Sequence, residues 1–365
     1  MKKRNPTICL IALILLALPG SGLAEMIRTP WLQAVGQSSA FVLVEDTDSL
    51  PLAVDYGPTG HFGLTALSQS QKRTSADTLV HHVRLDGLLP ATVYRYRARD
   101  IAGVSTEYTL KTAPGSDEPV RFAWAADSRG NPRVFNLIAG LMAQFRPDFV
   151  LHGGDVVDSN SYRCWEQQFF VANWSQMISR VAFYLAPGNH EGWNTQVQAF
   201  TQAPASSSGC RGYYSFDYGP VHFLVLNTEL DRGPGSAQYR FAASDLEASG
   251  QPWKIVIAHK PAWSVGQHGG DEQMQRLTDD VFETNGVSLV IAGHNHFYQR
   301  CYRDGIHHLT MGSAGADLHD PGRAWYVRRS ARSYHCGLFE ATPRRLNLTV
   351  LDESGHPIDW LELTR

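Results

Sequence analysis

The rhythm of apolar and polar positions changes once along this chain, and the change divides it. Residues 26–113 carry short β-prone runs at 40–44, 52–56, 82–85 and 93–98, separated by turn residues, and predict an all-β unit. Residues 112–119, TAPGSDEP, read as a linker. Beyond it, strands and helices alternate over residues 120–365, the pattern of an α/β unit. Residues 120–126 form an apolar strand candidate. Asn131 is placed to cap a helix with Pro132 at its first position. Val134, Leu137, Ile138, Leu141, Met142 and Phe145 recur at helical spacing and predict one buried stripe, which Pro147 stops.

The apolar runs of strand length end in residues that carry chemistry. Residues 120–126 run into Asp127, 149–151 into Gly153-Gly154-Asp155, and 181–186 into Pro187-Gly188-Asn189-His190-Glu191. Residues 255–258 run into His259, and 289–292 into Gly293-His294-Asn295-His296. Loops leaving strand ends converge on one edge of a sheet. The glycines permit tight turns and let the backbone crowd a metal pair without a Cβ clash. These oxygen and nitrogen donors suffice for two adjacent cations, and two cations roughly 4 Å apart can hold both ends of an in-line displacement at phosphorus. The pattern therefore points to hydrolysis of phosphate esters. No Ser-His-Asp or P-loop pattern competes: Gly312-Ser313-Ala314-Gly315 is glycine-rich but lacks the lysine of a nucleotide loop.

Composition sets limits. With 43% hydrophobic and 18% charged residues the balance is that of an ordinary globular protein, and a net charge of −3 gives no general case for binding nucleic acid. Lys2, Lys3 and Arg4 precede an apolar run at 8–18, then Pro19-Gly20 and the small residues Gly22-Leu23-Ala24. Residues 1–24 read as a cleavable signal peptide, so the expected location is periplasmic or secreted, with no membrane anchor after cleavage. Cys164, Cys210, Cys301 and Cys336 remain, an even number for an oxidising compartment. Three pairings are possible; grouping along the chain favours Cys164–Cys210 with Cys301–Cys336.

On Gly154-Asp155, Gly188-Asn189-His190-Glu191 and Gly293-His294-Asn295-His296, in this order, residues 120–340 resemble a calcineurin-like metallophosphoesterase. Residues 88–94, LLPATVY, resemble the tyrosine corner of a fibronectin type III sandwich. With that sandwich in front, the chain resembles a purple acid phosphatase or a bacterial relative. The resemblance implies a four-layer αββα phosphoesterase fold preceded by an all-β immunoglobulin/fibronectin III-like sandwich. It implies two metal ions (Fe, Mn or Zn) and a small-molecule phosphate ester substrate. Phosphomonoesters would be cleaved by attack of metal-bound hydroxide. By the same resemblance Asp155 would bridge both metals, Asn189, His259 and His294 would serve one, and Asp127 and His296 the other. It implies that His190 faces the substrate and can protonate the leaving group, and His268 lies near where the family presents a substrate-facing histidine; its alternative is a solvated loop histidine.

Two positions depart from the family. Arg129 stands where many members have histidine, and Asp158 where purple acid phosphatases have a ligating tyrosine. Asp158 is the candidate for the missing fourth ligand, and a carboxylate there gives no tyrosinate-to-iron colour. Arg129 either holds substrate phosphate with its planar fork or only pairs with Asp158. His152 and His222 read as packing or sheet residues, and His307, His308, His319 and His335 as surface or loop residues. The rivals are a phosphodiesterase on the same scaffold and a non-catalytic phosphate- or partner-binding protein with a weakened metal site.

Overall fold

The computed structural model describes residues 26–365 apart from 59, 207, 210 and 211. The proposed signal peptide lies outside these residues. The amino-terminal part forms two four-stranded sheets. One contains Trp31–Gln33, Ser39–Asp46, Leu79–Asp86 and Ser70–Arg73; the other contains Leu64–Leu67, Ala53–Pro58, Val93–Arg99 and Tyr108–Lys111. The corner expected at residues 88–94 is present, with the Leu89 amide donating to the Tyr94 hydroxyl at 2.9 Å.

The remainder is the four-layer αββα fold. A six-stranded sheet runs in the order Ala182–Leu185, Phe149–His152, Val120–Ala125, His335–Thr342, Arg345–Asp352 and Pro357–Thr364. The first three of these strands are parallel. A seven-stranded sheet has Val221–Val225, Trp253–Ala258, Leu289–Ala292 and Ile306–Met311 as parallel neighbours. Parallel strands put all their carboxyl ends on one edge, which is what gathers the loops expected to carry ligands.

The sheets pack face to face through aromatic rings. Phe122 of the first sheet stacks on Phe339 with centroids 4.5 Å apart and meets Phe223 of the second edge-on at 5.2 Å. Trp124 crosses the interface to donate to the Met311 carbonyl at 2.9 Å. Helices Pro132–Phe145 and Ala172–Ile178 cover the first sheet, and Ala237–Ala248 with Glu272–Leu277 covers the second. Asn131 caps its helix by accepting from the Val134 amide. The buried stripe differs from the expected one: Phe135, Ile138, Ala139 and Met142 face the sheet, whereas Leu137 is 56% exposed. Reading Leu137 as core counted hydrophobicity where Phe135 and Ala139 at i and i+4 set the face.

The sandwich does not stand apart from the α/β unit. Tyr96 donates to the Ser179 carbonyl at 2.7 Å, Trp31 to Phe200 at 3.1 Å, and Tyr184 to Val35 at 2.9 Å. Residues of both parts share one apolar core. The Cys301–Cys336 pairing is not formed: both thiols are free and buried, Cys301 in the seven-stranded sheet and Cys336 in the six-stranded one against its helix layer. Cys164 keeps a contact to Ser159 Oγ at 3.3 Å, and its expected partner Cys210 lies outside the described residues. His308 and His335 are buried rather than at the surface. Among the described residues no helix is long and apolar enough to cross a membrane.

Candidate metal centre

Six of the seven expected ligands meet where the carboxyl ends of the two sheets face each other. The first sheet contributes Asp127, Asp155 and Asn189; the second contributes His259, His294 and His296. Around His259 Nε2 lie Asn189 Oδ1 at 3.1 Å, His294 Nδ1 at 3.2 Å and Asp155 Oδ1 at 3.4 Å. Asp127 Oδ1 faces His296 Nε2 at 3.5 Å. Single ligand atoms of Asp127, Asp155 and His259 all lie within 4.8 Å of one another.

The backbone is bent to make this possible. Asp127, Asp155 and His294 have φ of 52°, 52° and 68°, a left-handed conformation costly for residues with a Cβ. A Cβ at Gly188 would sit 2.3 Å from Asp155 Oδ1, and one at Gly293 2.4 Å from Asp127 Oδ2, so only glycine lets these turns pass so near the carboxylates.

The donor set suits a cation. His259 Nδ1–H donates to the Gly153 carbonyl at 2.7 Å and His296 Nδ1–H to the Asp317 carbonyl at 2.7 Å, so each ring turns Nε2 inward. Asp127 Oδ1 is buried with no hydrogen-bond partner. A buried carboxylate oxygen without a donor is costly, and positive charge among these atoms removes the cost. Burial opposes ionisation of Asp127, yet the His296 contact and the neighbouring imidazoles hold its carboxyl below the usual range. Burial likewise disfavours charge on His259 and His296, but Asp155 and Asp127 raise the proton affinity of His259, and Asp127 raises that of His296. The same field that holds protons on these rings would hold metal ions.

Asp158 is not brought into the cluster. Its carboxylate is half-exposed and taken by Gln168 Nε2 at 2.5 Å and Arg129 at 3.3 Å, because the loop after Asp155 turns outward there. Arg129 bridges Asp158 and Asp155 Oδ2, the latter at 3.4 Å, so the ion pair is real but reaches the cluster as well. His190 sits at the rim, with Nδ1–H donating to the Asp158 carbonyl at 2.8 Å and Nε2 3.8 Å from Asp155 Oδ2. His268 is exposed, its ring 4.5 Å from that of His294.

Residues 121–298 match the family model for the calcineurin-like phosphoesterase. Over that stretch the chain is similar to calcineurin-like phosphoesterases. It is 29% identical over 280 residues to purple acid phosphatase 23 of Arabidopsis thaliana, covering 65% of this chain and 60% of that protein. It is 27% identical over 266 residues to purple acid phosphatase 15 of the same plant, covering 62% and 50%. The chain thus spans little more than half the length of these relatives. In fold it is similar to a purple acid phosphatase from yellow lupin (Lupinus luteus), with a TM-score of 0.78 at 22% identity over 92% of this chain and 74% of that one.

Three further features support the cluster. Glu191 is buried and accepts from the amides of Gly188 at 2.8 Å, Asp155 at 3.0 Å and Val156 at 3.2 Å, tying two ligand loops together. Burial and the nearby Asp155 carboxylate push its proton affinity up, and the Gly188 amide and His259 oppose this. The turn at residues 313–316, which has no nucleotide-loop character, pins Asp127: the amides of Gly315 and Ala316 donate to its carbonyl at 3.0 and 2.9 Å. His319 stacks on His296 with centroids 4.1 Å apart. Glu191 had a sequence signal, standing next to the Asn-His pair; His319 had none, lying 23 residues beyond His296 in a loop without periodicity.

Proposed function

We propose that this chain hydrolyses phosphomonoesters at a two-metal centre on the joined carboxyl edges of its central sheets. The observation that carries the reading is the inward-facing set Asp127, Asp155, Asn189, His259, His294 and His296, with an unpartnered buried Asp127 oxygen among them. Asn189, His259 and His294 would hold one cation, Asp127 and His296 the other, with Asp155 shared. Asp158 is left out because its carboxylate is engaged elsewhere. Bound cations would supply Lewis acidity toward phosphoryl oxygens and acidify water.

The protein's own groups do the rest. Arg129, braced against Asp155 and Asp158, presents its remaining guanidinium edge for a phosphate oxygen. His190, oriented by the Asp158 carbonyl, is placed to protonate the departing alkoxide. His268 stands beside His294 as a further donor to the ester. Phosphate monoesters carry two negative charges, and a rim built from Arg129, His190 and His268 answers that charge better than it answers a diester. The names of the Arabidopsis relatives support a phosphatase. Residues 120–365 would form the catalytic domain and 26–113 a sandwich packed against it, and the signal at 1–24 would direct export.

Elemental analysis of natively purified protein, joined to phosphate release from paired mono- and diester chromogenic substrates, tests the reading. Two metal ions per chain and at least tenfold higher kcat/KM on the monoester are expected. A preference for the diester would replace the substrate class. Less than one ion per chain with no turnover under added Mn²⁺, Zn²⁺ or Fe²⁺ would favour the non-catalytic reading.

A further inference from the structure

We infer that His319 is a substrate-contacting residue of this site, holding a phosphate oxygen through its Nε2–H. The inference rests on the phosphoesterase reading, and its basis is the way the ring is fixed. The His296 amide donates to His319 Nδ1 at 3.3 Å, and the His319 amide donates back to the His296 carbonyl at 2.9 Å. A nitrogen that accepts from an amide carries no proton, so the neutral ring must bear its hydrogen on Nε2. Among the described residues that Nε2–H has no hydrogen-bond partner.

Packing places the ring beside the candidate ligands. The His319 ring lies parallel to His296, 18° off with centroids 4.1 Å apart, and 5.3 Å from His268. His268 in turn touches His294. His319 is therefore not a loose loop side chain. Its ring lies against His296, which faces Asp127, and it is half-buried there. The His296 amide bond to Nδ1 and the stack on His296 hold the ring in one orientation, so little side-chain freedom is lost when an oxyanion meets it. With Arg129 and His190 on the side of the first sheet, His319 and His268 complete a ring of donors around an anion.

The test uses the metal-replete full chain. His319→Phe keeps the stack on His296 and removes the donor; His319→Gln returns an N–H near the position of Nε2. A contact made equally in ground and transition states changes KM and leaves kcat alone. For His319→Phe we expect KM for a phosphomonoester and the dissociation constant for inorganic phosphate to rise about tenfold, kcat to stay within about twofold, and metal content to be unchanged. His319→Gln should recover most of the loss. Unchanged phosphate affinity in His319→Phe would overturn the inference. So would a loss of bound metal in step with activity, which would mean that the ring acts only by holding His296. If the wild-type protein binds phosphate but turns over no monoester, the proposed reaction fails, while a weaker phosphate affinity in His319→Phe still upholds the contact. If the wild-type protein binds no phosphate, both fall.

Discussion

At the outer edge of the seven-stranded sheet His222 bonds through Nδ1 to Asp217 at 2.7 Å and through Nε2 to Asp245 at 2.8 Å, and Ser215 donates to Asp245 at 2.6 Å. At the carboxyl edge of the same sheet His259 and His296 also meet carboxylates, but at 3.4 and 3.5 Å, and Asp127 Oδ1 is left without a hydrogen bond. The first group stands on regular strands and the helix Ala237–Ala248. The second stands on left-handed backbone at Asp127, Asp155 and His294. Both groups are histidine with aspartate. Only the second leaves its polar atoms unsatisfied and holds its backbone in costly conformations to do so. A complete cluster braces a structure; an incomplete one is arranged around something that must arrive.

The comparison can be broken from the metal side first. Removing metal with a chelator should take phosphatase activity to background and Mn²⁺, Zn²⁺ or Fe²⁺ should restore it, measured by phosphate release. Asp155→Asn should lower kcat/KM at least ~10³-fold, about 4 kcal/mol of transition-state stabilisation, and cut bound metal by elemental analysis. Retained activity would remove Asp155 from the centre. Next, Glu191→Gln sets an amide N–H against the Val156 amide. It should weaken metal affinity about 10–100-fold in a competition titration while the fold persists.

The smallest effect belongs to the complete cluster. His222→Gln should leave kcat/KM unchanged and lower stability by about 1–3 kcal/mol in a denaturant melt. Burial lowers the proton affinity of His222, but the bonds to Asp217 and Asp245 prevail and raise its pKa from 6.5 to about 9. A raised folded-state pKa stabilises fully below the unfolded value and less as pH climbs through the folded one. The His222 contribution is therefore complete below about pH 6.5 and fades through about pH 9, so wild type and His222→Gln should converge in melting temperature at alkaline pH. A difference that persisted unchanged at pH 10 would contradict this assignment.

Much of this arrangement was legible because strand-terminal loops announce themselves: an apolar run followed by glycine and a ligand type is a local pattern, and Asp127, Asp155, Asn189, His259, His294 and His296 all stood in one. The Leu89–Tyr94 corner was legible for the same reason. What was not legible depended on distant partners. Asp158 had the right spacing, but Gln168, ten residues on, claims its carboxylate. Cys301 and Cys336 suit each other in number, yet the two sheets hold them apart. His319 became a neighbour of His296 only because the loop after residue 312 folds back over Asp127.

Each central sheet contributes three of the six proposed ligands, so neither layer alone could form the proposed centre. The gap between half-sites is fixed by the aromatic contacts of Phe122, Phe223 and Phe339 in the middle of the stack. Ring size there is therefore a control on chemistry performed at the rim: a smaller side chain at Phe223 would let the layers draw together and change the span a cation pair must bridge, without touching a single ligand.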